Sequence, residues 1–484
     1  MNIKMMGRIL AQILAVEAVF LVPAIGISLG CGEWNAVFGL GVTMAVTGGV
    51  AGILWLLCRR ADRRFGATDG MISVGLGWIF LSLFGCLPFI FSGEIPGFID
   101  AFFEIVSGFT TTGASILNDV EGMSRGLLYW RSFSHWLGGM GVLVFLLAIT
   151  PSDAQGKGFT MHLLRAESPG PDVGKLVPRM KKTAIILYVI YIALTVLCFV
   201  FLVLGRMPVF DAVCTAFGTA GTGGFGIKND SMASYSPYLQ NVCTVFMFLF
   251  GVNFSCYYLL LLGKLRDIFR DEELRLYIGL AVTVTVLLVL NIRSMYGSLS
   301  ETIRHAAFQV SSIMTTTGFA TTDFDTWPMF SKGLLLLLMI VGACAGSTGG
   351  GLKCARLLLL FKSLRRNVRQ STHAKKIAVV RVNGRPVSET VLSNANAYLA
   401  AYVIIIVLSF LLLCLDDMSI GTNLSAVLAC FNNIGPGLEA VGPTCNYSAF
   451  SPLSKLVLIV DMLAGRLEIF PILVLLSRST WRHK

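Results

Sequence analysis

The sequence predicts an all-α integral membrane protein, with four pseudo-repeated units around a central axis and two additional N-terminal transmembrane helices. Three observations predict this. Hydrophobic residues make up 55% of the 484 and charged residues only 13%, where a soluble domain carries about 25% charged residues. Runs such as Thr183 to Leu204 and Gly333 to Leu352 contain no charge, and roughly 20 apolar residues cross about 30 Å of hydrocarbon. A glycine-centred cluster also recurs four times.

Ten full crossings are expected, near residues 8–30, 36–58, 70–92, 127–150, 183–205, 238–263, 276–293, 331–361, 392–415 and 453–477. Lys4 and Arg8 precede the first, and no convincing small-residue cleavage site follows, so it is read as a retained helix and not a signal peptide. Basic residues cluster in alternate connections: Arg59, Arg60, Arg63 and Arg64; Lys157 to Lys182; Lys264 to Arg275; Lys353 to Arg385; Arg478 to Lys484. With Lys4 and Arg8 these hold 29 of the 38 Lys and Arg. Positive connections mark the cytoplasmic side. Both termini are therefore expected inside a cell (inner) membrane, and the net charge of +11 reflects the lipid bilayer, not nucleic acid. The twelve cysteines lie mostly in apolar runs, without CxxC or Cys/His ligand spacing, and read as small buried hydrophobes.

The four outside connections, 93–126, 206–237, 294–330 and 416–452, each begin with a stretch too short to span. Each then reaches a cluster: Gly108 to Ser115, Gly218 to Phe225, Ser312 to Phe319 and Cys430 to Gly437. Aligning Gly113, Gly223, Gly318 and Gly435 turns each unit into helix, pore helix, filter loop and helix. The organisation is then an N-terminal helix pair (1–66) and four pore repeats at 67–156, 157–269, 270–390 and 391–484.

Non-helical backbone at membrane depth survives only against protein or a water-filled path. A dehydrated cation needs oxygens in place of its water, and carbonyls on an extended loop supply them. Glycine takes backbone conformations that a Cβ forbids; threonine adds a hydroxyl acceptor. The expected ion-facing residues are Thr110, Thr111, Thr112 and Gly113; Ala220, Gly221, Thr222 and Gly223; Thr315, Thr316, Thr317 and Gly318; and Asn432, Asn433, Ile434 and Gly435. The negative C-terminal ends of four pore helices would favour the cation further. Asp119, Glu121, Asp230, Asp323, Asp325 and Glu439 follow the clusters. They either concentrate cations at the mouth or are ordinary screened loop charges.

Gly342, Gly346, Gly349, Gly350 and Gly351 crowd the eighth crossing. Each costs a helix about 1 kcal/mol relative to alanine, so the span is expected to break into a gate loop; the other reading is a small-residue helix interface. Arg466 lies in the last crossing. It either faces the pore as a barrier to cations or pairs with Asp461 or Glu468. Arg131 and His135 read as packing features. Two motifs are decoys. Gly221 to Gly226 fits GxGxxG without a βαβ context, and Gly346 to Lys353 resembles a phosphate loop with Leu352 misplaced.

These residues resemble the Trk/Ktr/HKT superfamily of potassium transporters, nearest its TrkH-type branch. The resemblance covers essentially the whole chain. It is carried by Thr110–Gly113, Gly221–Phe225, Thr315–Phe319, Asn432–Gly437, the Gly-rich break and Gly465 to Glu468. It implies K+ as the transported ion, selected by glycine in every filter, where serine in the first leans towards sodium. It also implies a homodimer with one pore per protomer, docked on a cytosolic ring of TrkA-like nucleotide-binding subunits. The fourth filter departs from the threonine-rich form, so fourfold symmetry is incomplete. Neither an enzyme nor an organic cofactor is expected, since no His, Asp or Glu residues converge in the sequence. The alternative to potassium uptake is an organic-solute secondary transporter. Coupling to H+ or Na+ is left open.

Overall fold

The first helix starts where the sequence supplies a cap. The Asn2 side chain accepts the Met5 N–H at 3.0 Å, satisfying a donor that a helix start leaves open. Helix α1 (Ile3–Cys31) stops at Gly32, whose left-handed backbone (φ 75°) closes it. The computed structural model of the chain describes residues 2–60, 66–141, 180–373 and 378–481.

α2 (Trp34–Leu57) packs along α1, and α3 (Ala67–Gly85) continues into α4 (Leu87–Phe91). Then come α5 (Phe98–Phe109) and α6 (Arg125–Gly139), followed by α7 (Met180–Leu204), α8 (Val209–Gly221), α9 (Pro237–Phe250), α10 (Phe254–Leu261) and α11 (Leu265–Arg270). α12 (Glu272–Ile292), α13 (Leu299–Met314), α14 (Met329–Val341) and α15 (Cys354–Thr372) precede α16 (Glu389–Leu413), α17 (Ile420–Phe431), α18 (Pro452–Arg466) and α19 (Phe470–Leu476).

The order recurs as long helix, short helix, second helix: α3, α5, α6; α7, α8, α9; α12, α13, α14; α16, α17, α18. The short helices α5, α8, α13 and α17 have 12 to 16 residues. At 1.5 Å per residue they reach about 18–24 Å, less than a bilayer core. Packing closes these elements into a cycle. α6 touches α5 and α8, α9 touches α8 and α13, α14 touches α13 and α17, and α18 touches α17 and α5.

Six helices among the described residues are long and apolar enough to cross a membrane. Three of the expected crossings are not continuous. That at 238–263 bends by 89° between α9 and α10. That at 331–361 is interrupted between α14 and α15. That at 453–477 breaks at Glu468 and Ile469, with φ of 55° and 68°. Hydropathy averages composition over a window, so the profile runs on through all three breaks, including the one that carries Arg466 and Glu468. In the crossing expected at 127–150, α6 ends at Gly139. Residues 142–150, the boundary at 156 and most of the basic segment Lys157 to Lys182 lie outside the described residues.

Beyond the crossing expected to end near 361, the basic connection remains helical to Thr372. It then forms a hairpin, β1 (Arg381–Val382) with β2 (Arg385–Pro386). Its turn is Asn383-Gly384 with φ of 50° and 76°, the dipeptide such tight turns favour. Asn383 also accepts the Glu272 N–H at 2.8 Å, tying the hairpin to the start of α12.

Trp78, Trp130, Phe103 and Phe109 are fully buried among the first helices. α2 instead exposes Trp34, Phe38, Ile53 and Leu57, as a helix solvated by lipid does.

Candidate functional site

Each short helix ends in a loop with one backbone pattern. The second loop residue is left-handed without being glycine: Thr111 (φ 56°), Thr222 (54°), Thr316 (61°) and Asn433 (56°). Threonine there is strained by about 1–3 kcal/mol and persists only if its surroundings enforce it. The third residue returns its N–H to the carbonyl five residues back: Thr112 to Ser107, Gly223 to Gly218, Thr317 to Ser312 and Ile434 to Ala429, at 2.8 to 2.9 Å. The fourth is a glycine with positive φ: Gly113 (81°), Gly224 (77°), Gly318 (87°) and Gly435 (97°).

The second loop therefore sits one residue later than the sequence alignment placed it. Gly224, not Gly223, matches Gly113, and Ala220 belongs to the last turn of α8. Two adjacent glycines left the register ambiguous. The shared pairs Gly224-Phe225 and Gly318-Phe319 were the signal that resolves it.

The four loops meet in sequence order. A methyl on Gly113 would lie 2.1 Å from the Gly223 carbonyl oxygen. On Gly224 it would lie 2.0 Å from that of Thr317, on Gly318 2.1 Å from that of Ile434, and on Gly435 2.6 Å from that of Thr112. Each glycine thus accommodates the third-residue carbonyl of the next loop, and the last returns to the first.

The loop hydroxyls brace the backbone. Thr110 donates to the Val106 carbonyl at 2.6 Å and pairs with Thr112 at 2.8 Å. Thr315 does the same with Ser311 and Thr317. These bonds commit the Thr110 and Thr315 hydroxyl protons to carbonyls of α5 and α13. Asn433 donates to Thr112 Oγ1 at 3.0 Å and to the Met462 carbonyl at 2.9 Å. Tyr447 donates to the Gly435 carbonyl at 2.6 Å, so the fourth loop is held differently from the others.

Behind the first two loops lies Arg131, read from the sequence as a packing feature, in a buried pair with Glu104, which the sequence reading did not single out. Arg131 Nε is 2.6 Å from Glu104 Oε1, and its Nη1 donates to the Gly226 carbonyl at 2.9 Å. Glu104 also accepts the Ile116 N–H at 2.9 Å. One ion pair therefore holds the outgoing strands of two loops, and both Glu104 oxygens take further bonds from Ser115 and the Ile116 N–H. Phe225 N–H donates to His135 Nε2 at 3.2 Å, so Nδ1 carries the proton and donates to the Gly108 carbonyl at 2.7 Å.

On the far side of the ring lies the interrupted stretch between α14 and α15. Gly342, Gly346 and Gly351 have φ of 71° to 76°. Gly349 and Gly350 are needed for room: a methyl there would lie 2.9 Å from the Thr315 carbonyl and 2.6 Å from that of Asn432. Gly350 N–H donates to Thr316 Oγ1 at 2.7 Å. Arg466 donates to the Thr348 carbonyl at 2.8 Å, to Thr111 Oγ1 at 3.2 Å and to the carbonyls of Gly138 and Gly139. It joins the stretch, the first loop and the end of α6. Its two proposed carboxylate partners are engaged elsewhere: Asp461 accepts from Ser409, and Glu468 pairs with Lys353 and Arg356.

The acidic residues beyond the loops largely organise backbone. Glu439 accepts the Thr422 N–H at the start of α17. Asp323 caps the next turn through the Asp325 N–H. The Asn229 amide, followed by the Gly122 and Glu121 N–H groups, holds the exposed Asp119 carboxyl below the usual carboxylate range.

The sequence matches the family model TrkH, cation transport protein, over residues 41–482. It is 38% identical over 448 residues to the Trk system potassium uptake protein TrkH of Salmonella typhimurium, covering 91% of this chain and 92% of that protein. A protein of the same name from Halomonas elongata is 35% identical over 496 residues, with 100% of each chain covered. The crystal structure of the potassium transporter TrkH from Vibrio parahaemolyticus matches with a TM-score of 0.89 at 32% identity, over 100% of both chains.

Proposed function

Because this chain belongs to the TrkH family of cation transport proteins, we infer that it takes up potassium across the cell membrane along the axis enclosed by its four glycine loops. The observation that carries the reading is the closed succession of glycines and carbonyls from Gly113 round to Thr112. Main-chain oxygens at such a constriction stand in for the water of a monovalent cation. The C-terminal ends of α5, α8, α13 and α17 add negative potential there. An inside-negative membrane supplies about 2.3 kcal/mol per charge per 100 mV, enough to drive accumulation.

On this reading residues 342–353 are the gate and Arg466 is the electrostatic barrier beside it. The repeats are 67–156, 157–269, 270–390 and 391–484, with 1–66 outside them. Both termini face the cytoplasm. The functional unit is a homodimer on a cytosolic nucleotide-binding ring of TrkA-like subunits, and H+ or Na+ coupling accompanies uptake only if the gradient of that ion alters the flux.

The test is growth of a potassium-transport-deficient host on low potassium, with rubidium uptake as the direct assay. Gly113→Ser should lower the potassium-to-sodium preference roughly tenfold, because its Cβ displaces the neighbouring carbonyl. Well-expressed wild-type protein without rubidium uptake, or an unchanged preference in the serine variant, contradicts the reading.

A further inference from the structure

The stretch between α14 and α15 is held from below as well as from above. Glu468 lies on the break after α18 and is 5% exposed, between the ammonium of Lys353 at 2.9 Å and the guanidinium of Arg356. Arg356 also lies 4.0 Å over the Tyr398 ring of α16. Glu273, in the first turn of α12 and likewise buried, accepts the Ala345 N–H at 2.5 Å and the Ala355 N–H at 3.1 Å with one oxygen. Ala345 lies within the stretch and Ala355 in the first turn of α15, so Glu273 joins the stretch to α15.

Lys353 and Glu468 share another property. Both are non-glycine residues in left-handed backbone, with φ of 69° and 55°. Strained residues of this kind persist when their surroundings enforce them, and they cluster where a segment has a second arrangement.

We propose that Glu273 and Glu468 are positioning residues that clamp the gate stretch shut at rest. The proposal rests on the reading of residues 342–353 as a gate. α15 cannot swing away from the axis while Glu468 holds Lys353 and Arg356, and the stretch cannot part from α15 while both N–H groups share Glu273. Opening by a partner on the cytoplasmic side must therefore break these contacts, which makes them the resistance against which a regulator works.

The experiment measures rubidium flux and the potassium-to-sodium preference of the full-length protein in proteoliposomes without any partner. Glu468→Gln, Lys353→Met and Glu273→Ala should each raise resting flux roughly tenfold with the ion preference unchanged. A simple field effect on the permeating cation would move the single variants in opposite directions: Lys353→Met up and Glu468→Gln down. That outcome overturns the clamp. Deletion of residues 345–350 separates the two ideas. If the deletion raises flux while the clamp variants match wild type, the clamp alone falls. If the deletion leaves flux unchanged, the gate and the clamp fall together. Size-exclusion profiles and melting temperatures identify variants that fail to fold, and the conservative Glu273→Gln, which keeps an acceptor oxygen, should remain close to wild type.

Discussion

At the scale of single residues, the two neighbours Gly223 and Gly224 separate space from conformation. A methyl on Gly223 would strike the His135 ring at 2.2 Å, whereas one on Gly224 would strike the Thr317 carbonyl and strain a φ of 77°. His135→Ala should therefore restore folding and rubidium uptake to Gly223→Ala but not to Gly224→Ala. Equal rescue of both would contradict the register. A second residue-level expectation concerns acid. Asp119 is held below the usual carboxylate range by Asn229. A carboxyl depressed in the folded state stabilises it at pH above the unfolded value, and that contribution disappears as pH falls through the folded value. In Asn229→Ala the Asp119 titration, followed by NMR of labelled protein, should move up towards an ordinary aspartate, and the bond between the two outer loops should be lost.

Among the elements, the second helix of each unit decides the geometry. α6 ends at Gly139 and α18 at Arg466, each with a glycine just before the end. A methyl on Gly138 would lie 1.9 Å from the Phe109 carbonyl, and one on Gly465 1.8 Å from that of Phe431. The same approach thus recurs at the ends of α5 and α17. Gly138→Ala or Gly465→Ala should push a second helix off its short helix and cost about 1–3 kcal/mol, seen as a lower melting temperature together with reduced uptake. The sequence made the short helices legible, because their length and Gly/Thr endings are local. It made the interruption at Gly342 to Gly351 legible through glycine density. The bend at Gly251–Asn253 and the break at Glu468 were not legible. Neither carries a glycine run, and what stabilises Glu468 is a salt bridge to residues more than a hundred positions away.

For the whole molecule, charge placement predicts an orientation that hydropathy alone does not. Reporter tags at either end should be protected in intact cells and labelled only after permeabilisation; a tag accessible from outside would overturn the assigned sidedness. The fourfold character was readable from the repeated clusters, but the closure was not. Asn433 reaches Thr112 across 321 positions, Arg466 reaches Thr111 across 355, and the Tyr447 N–H reaches the Ser115 carbonyl from the other end of the chain. Arg131 was singled out in the sequence, and Glu104 on the first short helix was not. Only the packing of α5 against α6 revealed that they form one brace shared by two loops.

The junction of Gly435 with Thr112 also bears on how the molecule is made. During synthesis the first three loops leave the ribosome well before the fourth. Until α17 and its loop are made, Thr112 and Gly318 each lack the neighbour that Gly435 and Ile434 supply. A product truncated before residue 420 would therefore carry three of the four loops and leave the ring open on one side.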